Sequence, residues 1–440
     1  MLQKIVDEPG AACTTVPEIT CPHCWHVFPP ENLKFIATSA GLAFDHRVPD
    51  GAMRRFLPSQ FTLQGDALDP LGGVCTETAC PHCHLKVPKL LALRDVFPVS
   101  LFGSPSSGKS YALGSMLWML DVNGARYRLG IEDVDAEANA IIHDYQESLF
   151  NQPTQDSPVK LLKTEEASLG AVWYQTVVFG AARKSLPKPF LYRVDPLAGH
   201  PAYEKARRQP QVLCIYDNAG ETFEPGGERE DSPVTRHMSR AKGLIFAFDP
   251  TQEPNFRKAC RERSTDPQWA DERRSRQVTL FGEAMSRVLK FRGKLPTERV
   301  DTPLVVMLPK FDAWAFLLEP FLGDTAVRGK LPSPYRDLQR KGGDEPVKVF
   351  NAPLIRKVSE ACRRMLQRYA EPMLTRVEER CEPSRTLFIP VSATGCGPAG
   401  KDEEGKYFHR FGDIKPIWAE VPLLTLLNIH LPELVPTIRS

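Results

Sequence analysis

The chain has 440 residues, of which 42% are hydrophobic and 25% charged, and 56 basic and 54 acidic side chains give a net charge of +2. This is the balance of a globular protein of two or three domains, and near-neutrality gives no electrostatic argument for nucleic acid or an anionic membrane. No apolar run reaches the roughly 18–20 residues of a membrane helix, and residues 1–10 lack the apolar core of a secretory signal, so we expect a cytoplasmic protein without a membrane span.

Two cysteine pairs mark the N-terminal segment, at Cys21-Pro-His-Cys24 and Cys80-Pro-His-Cys83. The two-residue spacing lets both thiolates face one ion while amides of the turn donate to the sulfurs, and two pairs supply the four tetrahedral ligands of structural zinc. Short strand-like pieces at 33–37 and 55–57 lie between the pairs. We therefore predict a zinc ribbon with an inserted arm over residues 1–92, with zinc bound by Cys21, Cys24, Cys80 and Cys83.

Other readings of this segment stay open at the level of sequence. A redox dithiol would need a thioredoxin-like unit, which is not visible, and a catalytic zinc would need an open coordination position, which four cysteines do not leave. Several neighbouring side chains could substitute as ligands: Cys75, His23, His26, His82 and His84. A small basic patch in the arm is more typical of a solvated surface than of a nucleic-acid site; it consists of His46, Arg47, Arg54 and Arg55.

Residues 97–110 read FPVSLFGSPSSGKS, which is an apolar strand followed by a complete phosphate-loop pattern. Glycines at both ends let the backbone fold around a phosphate, and the helix that follows presents its positive end to the anion. Lys109 can reach the β- and γ-phosphates, and Ser110 can ligate magnesium. The loop predicts a nucleoside triphosphate site formed by Gly103, Ser104, Ser106, Ser107, Gly108, Lys109, Ser110 and Tyr111.

The stretch 121–211 is unusually long for the connection between the first helix and the next core strand. Residues 135–149 have a helical pattern, and residues 190–194 are typical of a strand. Long loops in a compact domain are usually functional, so we predict that this insertion carries a partner surface.

A continuous apolar run at 212–216 predicts a buried parallel strand that ends at Asp217. A carboxylate at the C-terminal edge of a central strand can hold magnesium beside the phosphate loop. Gly220 offers a backbone amide that can approach the γ-phosphate closely.

Further apolar strands are predicted at 243–248, 303–308 and 386–391, and they alternate with helical stretches at 255–262, 272–292 and 352–379. This alternation predicts an α/β fold over residues 93–440: a three-layer P-loop NTPase with a mostly parallel sheet and helices on both faces. Ligands bind at the C-terminal ends of the strands in such sheets. The apolar segment 418–427 is predicted to be a core helix that closes the sheet.

These motifs, in this order, resemble the TRAFAC-class, Ras-like P-loop GTPases over about residues 97–430. The resemblance implies that Lys310 and Asp312 read the base, with support from Ser392 and Ala393. The chemistry fits guanine, because the Asp312 carboxylate can accept from both N1–H and the 2-amino group. The Ala393 amide can donate to O6, and the methylenes of Lys310 can pack over the base.

The same resemblance implies GTP or GDP with magnesium as cofactors, and it places Asp217 and Gly220 in a switch II segment, 217–240. A switch I threonine that contacts magnesium should precede the strand at 190–194. Thr154 and Thr164 are both candidates.

The chain departs from the family pattern at two positions. The usual base-contacting Asn or Thr is replaced by Pro309, which lacks an amide hydrogen and a side-chain amide. The hydrolytic glutamine is replaced by Glu221, which cannot donate a hydrogen bond when ionised. We therefore expect slow intrinsic hydrolysis, with Arg236 and His237 as candidate alternative groups.

A zinc ribbon joined to such a domain is similar to prokaryotic double-GTPase-type proteins, which are often linked with conflict systems; this implies a second GTPase or an effector as partner. The sequence thus predicts a slow GTPase that acts as a switch, with Lys109, Asp217, Gly220 and Glu221 as catalytic residues. Two alternatives remain: an ATPase that uses the same loop, which Pro309 favours, or a nucleotide-stabilised scaffold that recruits partners through its ribbon.

Overall fold

The computed structural model describes residues 15–49, 51–160, 174–218, 223, 233–261, 263, 276–323, 331–338 and 346–437. Three of the predicted site residues lie outside the described residues: Gly220, Glu221 and Thr164.

The N-terminal part is built from very short strands around the cysteine pairs. They are β1 (Ile19–Thr20), β2 (Val27–Phe28), β3 (Lys34–Ile36), β4 (Arg55–Phe56), β5 (Gln60–Phe61), β6 (Ala67–Leu68), β7 (Val74–Cys75) and β8 (Thr78–Ala79). β1 and β2 form a hairpin, β3 pairs with both β4 and β8, and β5–β7 form an antiparallel meander. The strands predicted at 33–37 and 55–57 are confirmed, and they pair with each other through Phe35 and Phe56.

Longer strands and helices follow from residue 95. In chain order they are β9 (Asp95–Gly103), α1 (Lys109–Tyr127), β10 (Leu129–Asp133), α2 (Ala136–Phe150), β11 (Pro158–Val159), β12 (Tyr174–Phe179), β13 (Ala182–Pro187), β14 (Phe190–Pro196), α3 (Tyr203–Ala206) and β15 (Gln211–Asp217). The helix predicted at 135–149 is confirmed as α2, whose first turn is capped by the Asp135 side chain.

The C-terminal half continues the alternation. Its elements are α4 (Pro233–Arg240), β16 (Gly243–Ala247), α5 (Pro254–Arg261), α6 (Gln277–Phe291), β17 (Leu304–Leu308), α7 (Phe311–Leu322), β18 (Tyr335–Leu338), β19 (Val347–Phe350), α8 (Ala352–Tyr369), α9 (Glu371–Arg380), β20 (Thr386–Pro390), β21 (Gly400–Lys401), β22 (Tyr407–Arg410) and α10 (Val421–His430). The stretch predicted as one helix at 352–379 is two helices that meet at Ala370. Pro372 favours the start of a new helix there, because proline suits a first turn and disrupts a helix interior.

The core is a seven-stranded sheet in the order β10-β14-β15-β9-β16-β17-β20. Five strands that follow one another in this order, β15, β9, β16, β17 and β20, are parallel to their neighbours. Within this sheet β14 runs antiparallel to both of its neighbours, β10 and β15. All residues of β16 and β17 are buried, as their continuous apolar sequences require. The mostly parallel sheet is therefore confirmed, as is the strand at 190–194 beside the strand that ends at Asp217.

The sheet differs from the prediction in what covers it. Helices were expected on both faces, but over β14 and β15 one face is covered by the N-terminal part and by the β12–β13 hairpin. Side chains alternate along β15, so that Leu213 and Ile215 belong to the main core while Val212, Cys214 and Tyr216 pack with the N-terminal part. The N-terminal part thus shares a hydrophobic cluster with the sheet.

The C-terminal prediction is confirmed, because α10 is a core helix whose residues 421–427 are all buried. Among the described helices, none combines the length and the apolar character needed to cross a membrane.

Candidate nucleotide site and cysteine cluster

The phosphate-loop sequence connects β9, in the middle of the sheet, to α1. β9 lies parallel between β15 and β16, so the loop begins at the C-terminal edge of the sheet. A side chain at Gly103 would place its Cβ only 2.6 Å from the Ala247 carbonyl oxygen, so this position requires glycine. Gly108 precedes α1 in a left-handed conformation, with φ of 87°, which turns the loop into the helix.

Lys109 is the first residue of α1, and its ammonium donates to two carbonyl oxygens of the loop. The Nζ–O distances are 2.9 Å to Gly103 and 2.9 Å to Ser104. The Ser107 hydroxyl is buried in the same loop and has no hydrogen-bond partner among the described residues. Since buried polar atoms are nearly always paired, this hydroxyl fits a loop that receives a polar ligand.

Asp217 ends β15 on the strand beside the phosphate loop. Its Oδ1 atom is also buried without a hydrogen-bond partner among the described residues. Burial raises its pKa from the ordinary value of 3.8 to about 6, while the Lys109 ammonium acts in the opposite direction. The following residue, Asn218, ties this strand end to β9 by donating to the Leu101 carbonyl and the Ser100 hydroxyl, both at 2.9 Å.

Two predicted base-reading residues from different loops are in direct contact. Asp312 lies in the first turn of α7 and Ser392 follows β20, and the Ser392 hydroxyl donates to Asp312 Oδ1. The same hydroxyl accepts from the Gly395 amide at 2.8 Å. β17 and β20 are parallel neighbours, so the sheet itself brings these two loops together.

The loop after β20 is also joined to the phosphate-loop helix. Ser115 of α1 donates its hydroxyl to the Ala393 carbonyl at 2.8 Å. Gly395 closes the turn with φ of +72°, and an added Cβ would lie 1.8 Å from the Lys415 carbonyl oxygen. The loop after β20 is therefore held in place by contacts that leave no space for a side chain at Gly395.

Lys310 has a partner that the sequence did not reveal. Its ammonium forms a 2.7 Å ion pair with Asp249, a fully buried carboxylate at the end of β16. Asp249 also accepts from the Thr251 amide and hydroxyl, at 2.9 and 2.7 Å, and from the Gln252 amide group at 2.9 Å. The ammonium of Lys310 is thus anchored by this ion pair. The backbone of Lys310 is left-handed, with φ of 59°.

Gln277 of α6 links this ion pair to the phosphate loop. Its side chain accepts from the Asp249 amide at 2.8 Å and donates to the Asp249 carbonyl at 3.0 Å. Its Oε1 atom also accepts from the Ser104 hydroxyl at 3.4 Å. Asp249 directly follows the strand predicted at 243–248, which is a weak local signal, whereas Gln277 comes from a distant helix and no motif pointed to it.

The four cysteines of the two pairs converge, with all four Sγ atoms within 4.8 Å of one another. The Cys21–Cys83 and Cys24–Cys80 sulfur distances are both 3.8 Å. In each pair a backbone amide donates to the first sulfur, from His23 to Cys21 at 3.4 Å and from His82 to Cys80 at 3.3 Å. We call this group the cysteine cluster, and it could hold a metal ion.

The two pairs adopt the same backbone conformation. The residue after each second cysteine is left-handed, with φ of 61° at Trp25 and 62° at His84. Burial raises the pKa of the Cys21 thiol, whereas hydrogen bonds from the other three cysteines lower the pKa of Cys80. Since only thiolates ligate metals, proton release would accompany metal binding.

The neighbouring candidate ligands are engaged elsewhere. Both ring nitrogens of His23 contact carbonyl oxygens, of Pro187 and Lys86, and His84 contacts Asp45 and Lys34. Cys75 packs with Phe35 and Ala67 in a separate small cluster. His26 and His82 stack on each other, with ring centroids 4.7 Å apart.

Two arginines of the basic patch form hydrogen bonds within the N-terminal part. Arg47 donates to the His82 carbonyl, and Arg55 donates to the His84 carbonyl at 3.0 Å.

The candidate hydrolytic groups lie in α4. His237 is fully buried and its ring stacks on Tyr216, with centroids 4.3 Å apart. Arg236 is exposed and its guanidinium lies over the Phe291 ring. Thr154 is exposed in the loop after α2 and bonds to Ser157 at 3.0 Å.

No protein-family model and no curated protein matches this chain. Among solved structures, Sup35 complexed with GDP is similar at 12% identity over 70% of this chain and 40% of that chain, with a TM-score of 0.23. Sup35 complexed with GMPPNP is similar at 10% identity over 68% of this chain and 38% of that chain, with a TM-score of 0.20. This chain thus spans well under two thirds of either structure, and TM-scores this low carry no functional argument. What defines the protein is its own architecture: a mixed α/β chain whose mostly parallel sheet carries a phosphate-loop sequence at the β9–α1 junction.

Proposed function

We propose that this protein binds GTP with magnesium and hydrolyses it slowly. The observation that carries the proposal is the contact between Asp312 and Ser392, which belong to separate loops at the same sheet edge as the phosphate loop. A carboxylate held in this way can accept from N1–H and the 2-amino group of guanine, whereas adenine offers neither donor in that arrangement.

Magnesium would be held by Ser110 and Asp217, and when bound it would neutralise charge between the β- and γ-phosphates. Within the part of the chain that the structure describes, the buried Oδ1 atom of Asp217 and the buried hydroxyl of Ser107 have no hydrogen-bond partner, which supports a polar ligand at this place. Lys109 would move its ammonium from loop carbonyls to phosphate oxygens. Gly220 and Glu221 complete the proposed catalytic set with Lys109 and Asp217.

We propose that the protein acts through which nucleotide is bound, and not through rapid hydrolysis of GTP. An ionised glutamate at position 221 cannot donate a hydrogen bond to the attacking water while accepting its proton. A slow GTPase of this kind acts as a switch, in which loss of the γ-phosphate changes the segment 217–240 for a protein partner. We propose a second GTPase or an effector as that partner and a role in a bacterial conflict system, in keeping with the resemblance to prokaryotic double-GTPase-type proteins. We also propose that the protein acts in the cytoplasm.

We further propose zinc as the ion of the cysteine cluster. A regular tetrahedron of thiolates at a Zn–S distance of about 2.3 Å has edges of about 3.8 Å. The Cys21–Cys83 and Cys24–Cys80 sulfur–sulfur distances of 3.8 Å fit that geometry. With four protein ligands the ion has a structural role, and we divide the chain into a ribbon domain, 1–92, and a nucleotide domain, 93–440.

The test is a competition between nucleotides at fixed magnesium. A fluorescent GTP analogue should bind the purified chain and be displaced by GTP far better than by ATP. Replacing Asp312 by asparagine should shift the preference from GTP to XTP, since an amide can donate to the 2-oxo group of xanthine. Equal displacement by ATP would instead favour an ATPase, which Pro309 with its missing amide hydrogen also suggests.

A further inference from the structure

The strand that carries Asp217 connects the cysteine cluster to the proposed magnesium site. Tyr216 precedes Asp217 directly and projects to the opposite face of the sheet, where it is 1% exposed and packs with Cys21, Cys80 and Cys83. A single peptide unit therefore separates a residue of the ribbon interface from the proposed magnesium ligand.

The first cysteine pair accepts a hydrogen bond from this tyrosine. The Tyr216 hydroxyl donates to the Pro22 carbonyl oxygen at 2.5 Å, and Pro22 lies between the ligands Cys21 and Cys24. The Trp25 ring, just after the pair, lies 5.6 Å from the Tyr216 ring between centroids. Both contacts depend on the path of the turn from Cys21 to Trp25.

The same turn also holds the helix α4, which forms the C-terminal end of the proposed switch segment 217–240. Arg240 donates to the Trp25 carbonyl oxygen at 2.9 Å. The His237 ring, also in α4, stacks on the Tyr216 ring, with centroids 4.3 Å apart and an inclination of 18°. Pro22 thus offers a carbonyl to Tyr216, directly before the segment, and Trp25 offers one to Arg240, its last residue.

A bound ion would fix the path of this turn. It would tie Cys21 and Cys24 of one pair to Cys80 and Cys83 of the other, and the Trp25 amide donates to the Cys21 carbonyl within the turn at 3.1 Å. Without an ion the four thiols would lose this connection, and the positions of the Pro22 and Trp25 carbonyls would be less restricted.

We infer that the cysteine cluster positions the proposed nucleotide site through Tyr216 and Arg240, so that zinc binding and magnesium–nucleotide binding are thermodynamically linked. The inference rests on the proposed function. Linkage is reciprocal, so bound nucleotide must raise zinc affinity by the factor by which zinc raises nucleotide affinity. The net free energy of one or two hydrogen bonds, neutral or charge-assisted, changes a binding constant by a factor of about ten.

The test measures zinc affinity of the full chain by competition with a chromogenic chelator, without nucleotide and with magnesium and GMPPNP. We expect nucleotide to raise the zinc affinity about tenfold. Tyr216→Phe should bring this factor close to one while the chain still binds one zinc. Tyr192→Phe is the matched control, because Tyr192 is a buried tyrosine on the neighbouring strand whose hydroxyl has no partner among the described residues; it should keep the full factor.

Arg240 provides a second variant at an exposed position, where a change should not prevent folding. Arg240→Met should reduce the linkage, and Arg240→Lys, which can still donate to the Trp25 carbonyl, should restore part of it. If the chain binds guanine nucleotide but its zinc affinity does not change, the inference is overturned and the proposed function stands. Full linkage in both Tyr216→Phe and Arg240→Met would also overturn it. If no guanine nucleotide binds, the proposed function fails and this inference with it.

Discussion

Replacing Asp217 by asparagine should stabilise the ligand-free protein while removing its magnesium–nucleotide binding. Burial raises the pKa of Asp217 from 3.8 to about 6, so at neutral pH the folded chain holds an ionised carboxylate whose charge is disfavoured by its burial. That difference corresponds to about 3 kcal/mol at pH 7. Asparagine keeps the shape and removes the buried charge, so the free energy of unfolding should rise by up to this amount.

The sign of the pH dependence follows from the raised pKa. The folded state holds a proton between pH 4 and 6 that the unfolded state has lost, so the wild type becomes less stable as pH rises through this window. The advantage of Asp217→Asn should therefore be absent below about pH 4, partial near pH 5 and complete above about pH 7.

The assay is thermal unfolding of wild type and variant at pH 5 and pH 7, with no magnesium or nucleotide. At about 2.1 cal/mol/K per residue, 3 kcal/mol corresponds to about 3 °C for 440 residues. Asp156→Asn, at an exposed loop position, is the control and should leave the midpoint unchanged. A lower midpoint for Asp217→Asn at pH 7, or an equal gain at both pH values, would refute the reasoning.

Three further outcomes are expected. Lys109→Ala should lower triphosphate affinity about 100-fold in a fluorescence titration, because a charge-assisted contact to phosphate is lost; unchanged affinity would place the nucleotide elsewhere. Cys24→Ser should reduce bound zinc from one ion per chain to none by elemental analysis, whereas Cys75→Ser, outside the cluster, should retain it; equal loss would contradict the ligand set. Gly395→Ala should lower stability in urea by at least about 3 kcal/mol, because its Cβ meets the Lys415 carbonyl. Gly405→Ala has a similar φ of +74° and open space, so it should cost only about 1 kcal/mol, and equal costs would rule out the steric cause.

Local patterns in the sequence were enough to predict the core elements. Continuous apolar runs identified β15, β16, β17 and β20, because strands buried on both faces of a parallel sheet need apolar residues throughout. The phosphate-loop pattern and the spacing of the two cysteine pairs are also local, since each depends on a short turn whose shape its own residues set.

Contacts between distant residues could not be read in this way. The pairing of Lys310 with Asp249 joins two strand ends that are 61 residues apart, and Gln277 reaches them from a third element. The placement of the N-terminal part on β15 depends on which face of the sheet Val212, Cys214 and Tyr216 occupy and on which other elements are left to cover that face. The alternation of side chains along a strand shows which residues share a face of the sheet, but it does not show which element packs on that face.

The sequence by itself therefore determined six of the seven strands of the described core sheet, β10 being the one it missed, together with the phosphate-loop pattern and the two cysteine pairs, because short-range geometry and apolar burial specify each of them. Only the tertiary structure decided that the turn from Cys21 to Trp25 lies behind the strand of Asp217 and contacts both Tyr216 and Arg240. The physical reason is that packing between whole faces depends on shape and on all competing surfaces, which no local pattern records.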